Sequence, residues 1–355
     1  MRRAFHSWML ISLRMTTDRN FAIDWIKGLM MLFVVLVHTH SLPWLYHGYI
    51  AVDIFFFISG YYLMHSFRRN PTTAISYTWR RIKGLYLPYV LCFVFSCLLR
   101  YKGLTTFDSF DAFLEKYAQF GFGLTLTEEF GPKIMTEHIL LGSWFISVML
   151  IAGALIYGML EYDEKLSVKV LLPCIVIAGY TFIFTQDPMI MNWGRVGALS
   201  LPLVRGFAGM SAGAFIFYVY EQHKDGFERR STLINIAALL SLVLYVALMF
   251  TEKSLDLYLL VAAPWILVGA VIDKSWSNRL LARIRGGFFA FVGRNTLYVL
   301  FAHTPAILLV HWTNDHLLNG LFGPYVIVAL DLAVTAAASV VLYYICLFMR
   351  KKWAL

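Results

Sequence analysis

Lys27 and His38 stand eleven residues apart in the apolar stretch FAIDWIKGLMMLFVVLVHTH. Eleven helical steps of 100° make three turns plus about 20°, so both side chains project from one face, roughly 16 Å apart along the axis. A cation at the boundary of a membrane span and a titratable imidazole deep within it are unfavourable, because lipid solvates neither. Ionisable residues so placed mark a functional site by default. Asp53, Arg205, His303 and Asp331 fall at comparable depth in four other apolar stretches, so five helices bring an ionisable group to the outer half of the chain's membrane region. Each also has a structural reading. Asp53 could pair with Arg205, and Asp331 with His303, as buried charges normally do. His40, His47, His311 and His316 lie near span ends and read as solvated, whereas Trp144 and Tyr298 read as interfacial or core aromatics.

The elements that must position these groups are membrane helices. The 355 residues are 59% hydrophobic and 14% charged, with mean hydropathy +0.67, whereas a soluble domain carries about 25% charged residues. The fold class is therefore all-α and polytopic. Ten stretches are long enough to span, at 22–41, 49–67, 84–100, 142–160, 168–186, 197–219, 233–251, 255–272, 287–311 and 324–349. The charges flanking them vote on orientation. Arg14, Arg19 and Lys27, then Arg68, Arg69, Arg80, Arg81 and Lys83, then Lys224, Arg229 and Arg230, then Lys274, Arg279, Arg283 and Arg285, and finally Arg350, Lys351 and Lys352 all fall on one side. The positive-inside rule makes that side, and both termini, cytoplasmic. The net charge of +9 thus follows topology and implies no nucleic-acid partner. The four cysteines lie in or beside apolar spans, which argues against a disulfide framework or a metal site.

Residues 101–141 form one long outer loop richer in acids than in lysines, with amphipathic segments such as FDAFLEKYAQF expected at the outer face. Residues 1–20 read as an interfacial lead-in, or as sequence upstream of a start at Met15. A transmembrane domain over 21–349 and a basic tail at 350–355 follow.

The first two spans carry a resemblance. FAIDWIKGLMMLFVVLVHTH followed by GYIAVDIFFFISGYYL is similar to the opening of the membrane-bound acyltransferase family 3, matching it at Asp24, Lys27, Gly28, His38, Gly48, Val52, Asp53, Phe55, Phe56, Ser59 and Gly60. RRIKGLYLPY resembles the family's basic segment ending in proline, here Pro88. GSWFISVML resembles its tryptophan-containing span. FVGRNTLYVLFAHTPAI matches a late element at Gly293, Thr296, Tyr298 and His303. The resemblance covers residues 20–345. Lys27 departs from the more common arginine, exchanging a bidentate fork for a point charge. Ala51 replaces a frequent glycine, and Leu85 stands where some members carry a cation.

The resemblance implies acyl transfer across the membrane, with no permanently bound cofactor. The co-substrate would be a cytoplasmic acyl-CoA, acetyl-CoA in the simplest case. The acceptor would be a hydroxyl of a cell-envelope carbohydrate or its lipid-linked precursor, and the location a bacterial inner membrane. Lys27, Arg80, Arg81 and Lys83 would hold the donor's phosphates. His38 would act as general base, with Asp53 fixing its tautomer. Ser59, Arg205, Tyr298, His303 and Asp331 are candidates for oxyanion or acceptor contacts. Trp44, Tyr46, His47, Trp193 and Arg195 are candidates for sugar contacts in the outer loops. Buried His, Asp and Arg in ten spans also suit a proton-coupled transporter of a small metabolite or glycan precursor, although the sequence lacks paired Gly/Pro-interrupted spans and an inverted repeat. A catalytically inactive family member is the third reading.

Overall fold

Asn20 starts the first helix: its side-chain oxygen accepts from the Ile23 amide at 3.0 Å while its own amide group donates to the Ala270 carbonyl at 2.6 Å. The cap fixes where the chain enters the membrane and ties that entry to a helix 250 residues later. This computed structural model describes residues 20–100, 117–118, 120–128, 139–186, 194–196, 199–253, 255–272, 275–284 and 287–353. Its helices are α1 (Phe21–His38), α2 (Ala51–Arg69), α3 (Ala74–Arg100), α4 (Ser143–Tyr162), α5 (Glu164–Gln186, with a π-helical turn at Ser167–Leu171), α6 (Leu201–Gln222), α7 (Lys224–Arg229), α8 (Ser231–Leu248), α9 (Asp256–Val271), α10 (Trp276–Arg283), α11 (Gly287–Arg294), α12 (Thr296–His316) and α13 (Pro324–Trp353). A two-residue antiparallel ladder pairs Arg195 with Ser200 and Val196 with Leu199 ahead of α6.

Nine of the described helices are long and apolar enough to cross a membrane, and the count reaches ten when α9, bent by 64° from the short α10 that follows it, is taken as the crossing part of a broken span. This agrees with the ten stretches read from the sequence, and the chain is a multi-pass membrane protein. The side on which α1 begins, α2 ends and α3 begins carries Arg68, Arg69, Arg80 and Arg81 and is called the basic side below.

Close helix crossings organise the bundle. A Cβ on Gly60 of α2 would fall on the Met210 carbonyl of α6, and one on Gly213 of α6 would fall on the Phe57 carbonyl of α2. Small residues let two backbones touch, the usual way to gain packing between helices where lipid offers no hydrophobic drive. The same device joins α11 to α1, where Gly28 faces the Phe289 carbonyl and Gly293 the Asp24 carbonyl.

Several limits differ from the sequence reading. Helix α3 begins at Ala74, ten residues before the expected span, so Arg80, Arg81 and Lys83 are helical and not in a loop. The ninth stretch breaks at Asn295 into α11 and α12. The long segment does not simply lie over the outer face. Tyr89 of α3 donates to the Gly123 carbonyl at 2.6 Å, and Leu126 and Glu128 are buried, so residues 120–128 turn back into the bundle. Residues 1–19, most of FDAFLEKYAQF, and Trp193 lie outside the described residues, and so does the choice between Met1 and Met15.

Because the α2–α6 crossing is backbone on backbone, Gly213→Leu is expected to destabilise the protein by roughly 3 kcal/mol or more. Gly226→Ala, where a Cβ meets nothing within 4 Å, serves as the neutral control. The yield of monodisperse protein after detergent extraction measures the difference.

Candidate active site

Helical periodicity brings two stripes to face each other. Lys27, Met31, Val34 and His38 on α1, and Val52, Phe55, Ser59, Tyr62 and Ser66 on α2, line one cavity of about 780 Å³. Spacings of three, four and seven residues keep each set on one helix face. Helix α3 closes the basic end with Arg80 and Arg81, α4 adds Trp144 and Met149, α6 adds Arg205, and α12 adds Thr296 and Leu300. The walls between the polar ends are mostly apolar, as ligand pockets generally are.

At the basic end Lys27 stands 3.9 Å from Asp24, and Arg81 lies over the Tyr77 ring at 5.3 Å. His65 and Ser66 also reach this end. Lys83 does not line the cavity; its ammonium sits over the Trp79 ring at 5.5 Å, on a different face of α3.

His38 ends α1, and its side chain folds back so that Nδ1 lies 2.8 Å from the Val34 carbonyl. A carbonyl only accepts, so Nδ1 carries the proton and the neutral ring keeps its lone pair on Nε2. His303 of α12 makes the same bond to the Leu300 carbonyl at 2.6 Å. The two rings lie 5.0 Å apart, tilted by 38°. His303 is fully buried, and its Nε2 has no partner among the described residues.

The expected contact between Asp53 and His38 is not formed. Asp53 takes both its bonds from Arg205, Nε to Oδ1 at 3.1 Å and Nη2 to Oδ2 at 2.6 Å, and Nη2 also donates to the Tyr49 carbonyl at 3.2 Å. The guanidinium lies 5.8 Å from the centre of the Trp144 ring. The Val34 carbonyl, not a carboxylate, therefore sets the His38 tautomer, because α2 turns Asp53 toward α6 and away from α1. Asp331 likewise pairs with His311, at 3.3 Å, and not with His303. Tyr298 packs edge-on against Tyr343 at 5.3 Å on the α13 side and is not part of the cavity wall. Ser59 is part of it, its hydroxyl 3.7 Å from the Met149 sulfur.

The end opposite the basic one is held by a buried polar cluster. His47 is 2% exposed and bonds Asp256 at 2.8 Å, and the Tyr49 hydroxyl donates to the other Asp256 oxygen at 2.8 Å. The solvated role expected of His47 is thus replaced by a structural one. His40 and Tyr49 line the cavity here. Trp44 stacks on Phe250 at 5.5 Å, and the exposed Tyr46 donates to Glu252 at 2.9 Å, which holds its phenol above the ordinary tyrosine range. Arg195 belongs to the short ladder.

A family model described as an acyltransferase domain, acyltransferase 3, matches residues 20–347. The chain belongs to the acyltransferase 3 family. It is also 38% identical over 78 residues to a putative membrane-bound transacylase, BcsY, of Komagataeibacter xylinus. That match spans 22% of this chain and 19% of the relative. No solved structure gives a significant match.

His65, Tyr49 and Asp256 were not read from the sequence as site residues. Tyr62 and Ser66 sit on the stripe that carries Ser59, so continuing that periodicity would have found them and the neighbouring His65. Asp256 carries no such signal, since its partners come from a loop two hundred residues away.

Arg205→Ala would leave the Asp53 carboxylate buried and unpaired, a loss of about 3–5 kcal/mol. The neutral double variant Asp53→Asn with Arg205→Gln is expected to recover part of it. Thermal unfolding in detergent compares the three proteins.

Proposed function

We propose that this chain transfers an acyl group, acetyl in the simplest case, from coenzyme A to a hydroxyl presented on the opposite side of the membrane. The observation that carries this reading is a single cavity bearing Lys27, Arg80 and Arg81 at one end and His38 farther along the Lys27 face of α1. Coenzyme A has its phosphates at one end of a long thin arm and its thioester at the other. Three cations suit the phosphates, and the apolar walls suit the arm. The basic side is then cytoplasmic, and the donor enters from it. The acceptor is a cell-envelope carbohydrate or its lipid-linked precursor, a class supported by the family's habit and by the exposed Trp44 and Tyr46 near the far end. A bacterial inner membrane is the setting that supplies such an acceptor.

In the reaction, His38 Nε2 takes the proton from the acceptor hydroxyl as its oxygen attacks the thioester carbonyl. Ser59 and Arg205 line the cavity and are the donors assigned to the developing oxyanion. The carbon–sulfur bond then breaks, and the imidazolium returns its proton to the departing thiolate. The products are the ester and free coenzyme A, with the hydroxyl proton accounted for. His303 positions the His38 ring by packing on it.

His38→Ala is expected to lower transfer by roughly two to four orders of magnitude without changing membrane insertion. Mass spectrometry of surface glycans from cells with the wild-type gene, the variant or neither reads out both reaction and acceptor. Undiminished acylation with the variant would remove His38 as the base. Lys27→Ala is expected to raise the donor KM about tenfold or more, the value of a bond to a charged group, with kcat little changed. Steady-state rates against acetyl-CoA concentration in proteoliposomes test this.

A further inference from the structure

An amphipathic helix on a protein normally buries its apolar face, but of the large apolar residues of α10 only Leu281 packs on the core. Two uncharged polar side chains do the rest of the docking. Asn278 donates to the Ala270 and Ile272 carbonyls at 2.9 and 2.7 Å, and Ser277 donates to Asn235 at 2.5 Å. These bonds pin α10 beneath the ends of α8 and α9. The opposite face carries Trp276, Leu280 and Ile284, one every fourth residue, at 39%, 50% and 58% exposure. Phe288, which follows at the start of α11, is 71% exposed. A line of large apolar groups turned outward from a polar seat is stable only if something other than water covers it.

Three observations point to what covers it. The 64° bend between α9 and α10 lays α10 toward the membrane plane when α9 crosses the membrane. The helix sits on the basic side, level with the entry of α1, because Ala270 accepts from both Asn278 and Asn20. Arg279 and Arg283 are exposed beside the apolar line, and neither has a carboxylate partner among the described residues. Apolar side chains flanked by arginines in the membrane plane are the arrangement that enters the boundary between headgroups and acyl chains. We propose that α10 and the start of α11 form a seat for anionic lipid: Trp276, Leu280, Ile284 and Phe288 insert at that boundary, and Arg279 and Arg283 bind the phosphates of negatively charged headgroups.

The test follows an environment-sensitive NBD label at Leu280→Cys in a Cys174→Ser background, since the other three cysteines are buried. The full-length protein is placed in nanodiscs of phosphatidylcholine alone or mixed with phosphatidylglycerol. The expected result is blue-shifted emission that a lipid spin label near the headgroup quenches, about twofold more strongly in the mixture, in line with the attraction of arginines to an anionic surface. Arg279→Gln with Arg283→Gln should remove the difference between the two lipids. Emission typical of water would overturn the proposal. Blue-shifted emission that the lipid quencher cannot reach would also overturn it, by showing that protein covers the face. Quenching indifferent to phosphatidylglycerol would refute the headgroup charge. Ile284→Cys repeats the measurement at a second position on the line. None of these readouts depends on acyl transfer.

Discussion

A buried ion pair persists only while both charges are held in contact, and the contact between Asp53 and Arg205 depends on how closely α2 and α6 cross. Gly60 and Gly213 remove the two Cβ atoms that would hold the axes apart. The pair then organises its neighbourhood. Arg205 also binds the Tyr49 carbonyl, fixing the turn ahead of α2, and Tyr245 of α8 donates to the next carbonyl, that of Ile50, at 2.7 Å. Tyr49 in turn reaches Asp256 at the start of α9. Four helices and the loop after α1 are thus tied to one charge pair, and loosening the crossing would cost each of those buried polar groups its partner.

The cavity is the complement of this packing. Where α2 turns Gly60 and Asp53 toward α6, the helix makes backbone contact; its other face, from Val52 to Ser66, meets open space opposite α1. Helix α1 has the same two-sided character. Gly28 presses on α11, which fixes the turn that carries Lys27, while Lys27 itself faces the cavity. A rigid wall on one side of each helix allows the other side to remain unfilled without collapse.

What the sequence revealed and what it hid divide along the same line. The Lys27–His38 stripe was legible because its geometry lies within one helix, where 3.6 residues per turn decide which side chains share a face. The ten spans were legible because membrane thickness demands a long apolar run. Arg80 and Arg81 were read as a loop because hydropathy drops there, yet charged residues extend a helix readily once it leaves the hydrocarbon. Partners across helices were another matter. Asp331 was matched with His303, but His311, eight residues or roughly 12 Å farther along the same helix, is the one it meets. Span limits set depth only to within a turn or two, and that error is enough to exchange one histidine for the other. Asp53 had two readings, service to His38 or a bond to Arg205. Only the rotation of α2 about its own axis, set by glycines facing α6, chose between them.

That choice bears on the chemistry proposed for His38. In a catalytic triad a carboxylate both orients the imidazole and stabilises the imidazolium that forms. Here orientation comes from a backbone carbonyl four residues back, which holds the tautomer but carries no formal charge to offset a cation. The neighbouring ring, His303, lies 5.0 Å away with its own Nδ1 proton tied to its own helix, and it too brings no negative charge. An imidazolium in such surroundings has little reason to persist. It is discharged fastest by an anion generated beside it, and the departing thiolate of the donor is such an anion. Within the proposed reaction, that is the reason to prefer direct attack by the acceptor, with proton removal and proton return close in time, over a route that stores a charged histidine between two separate half-reactions.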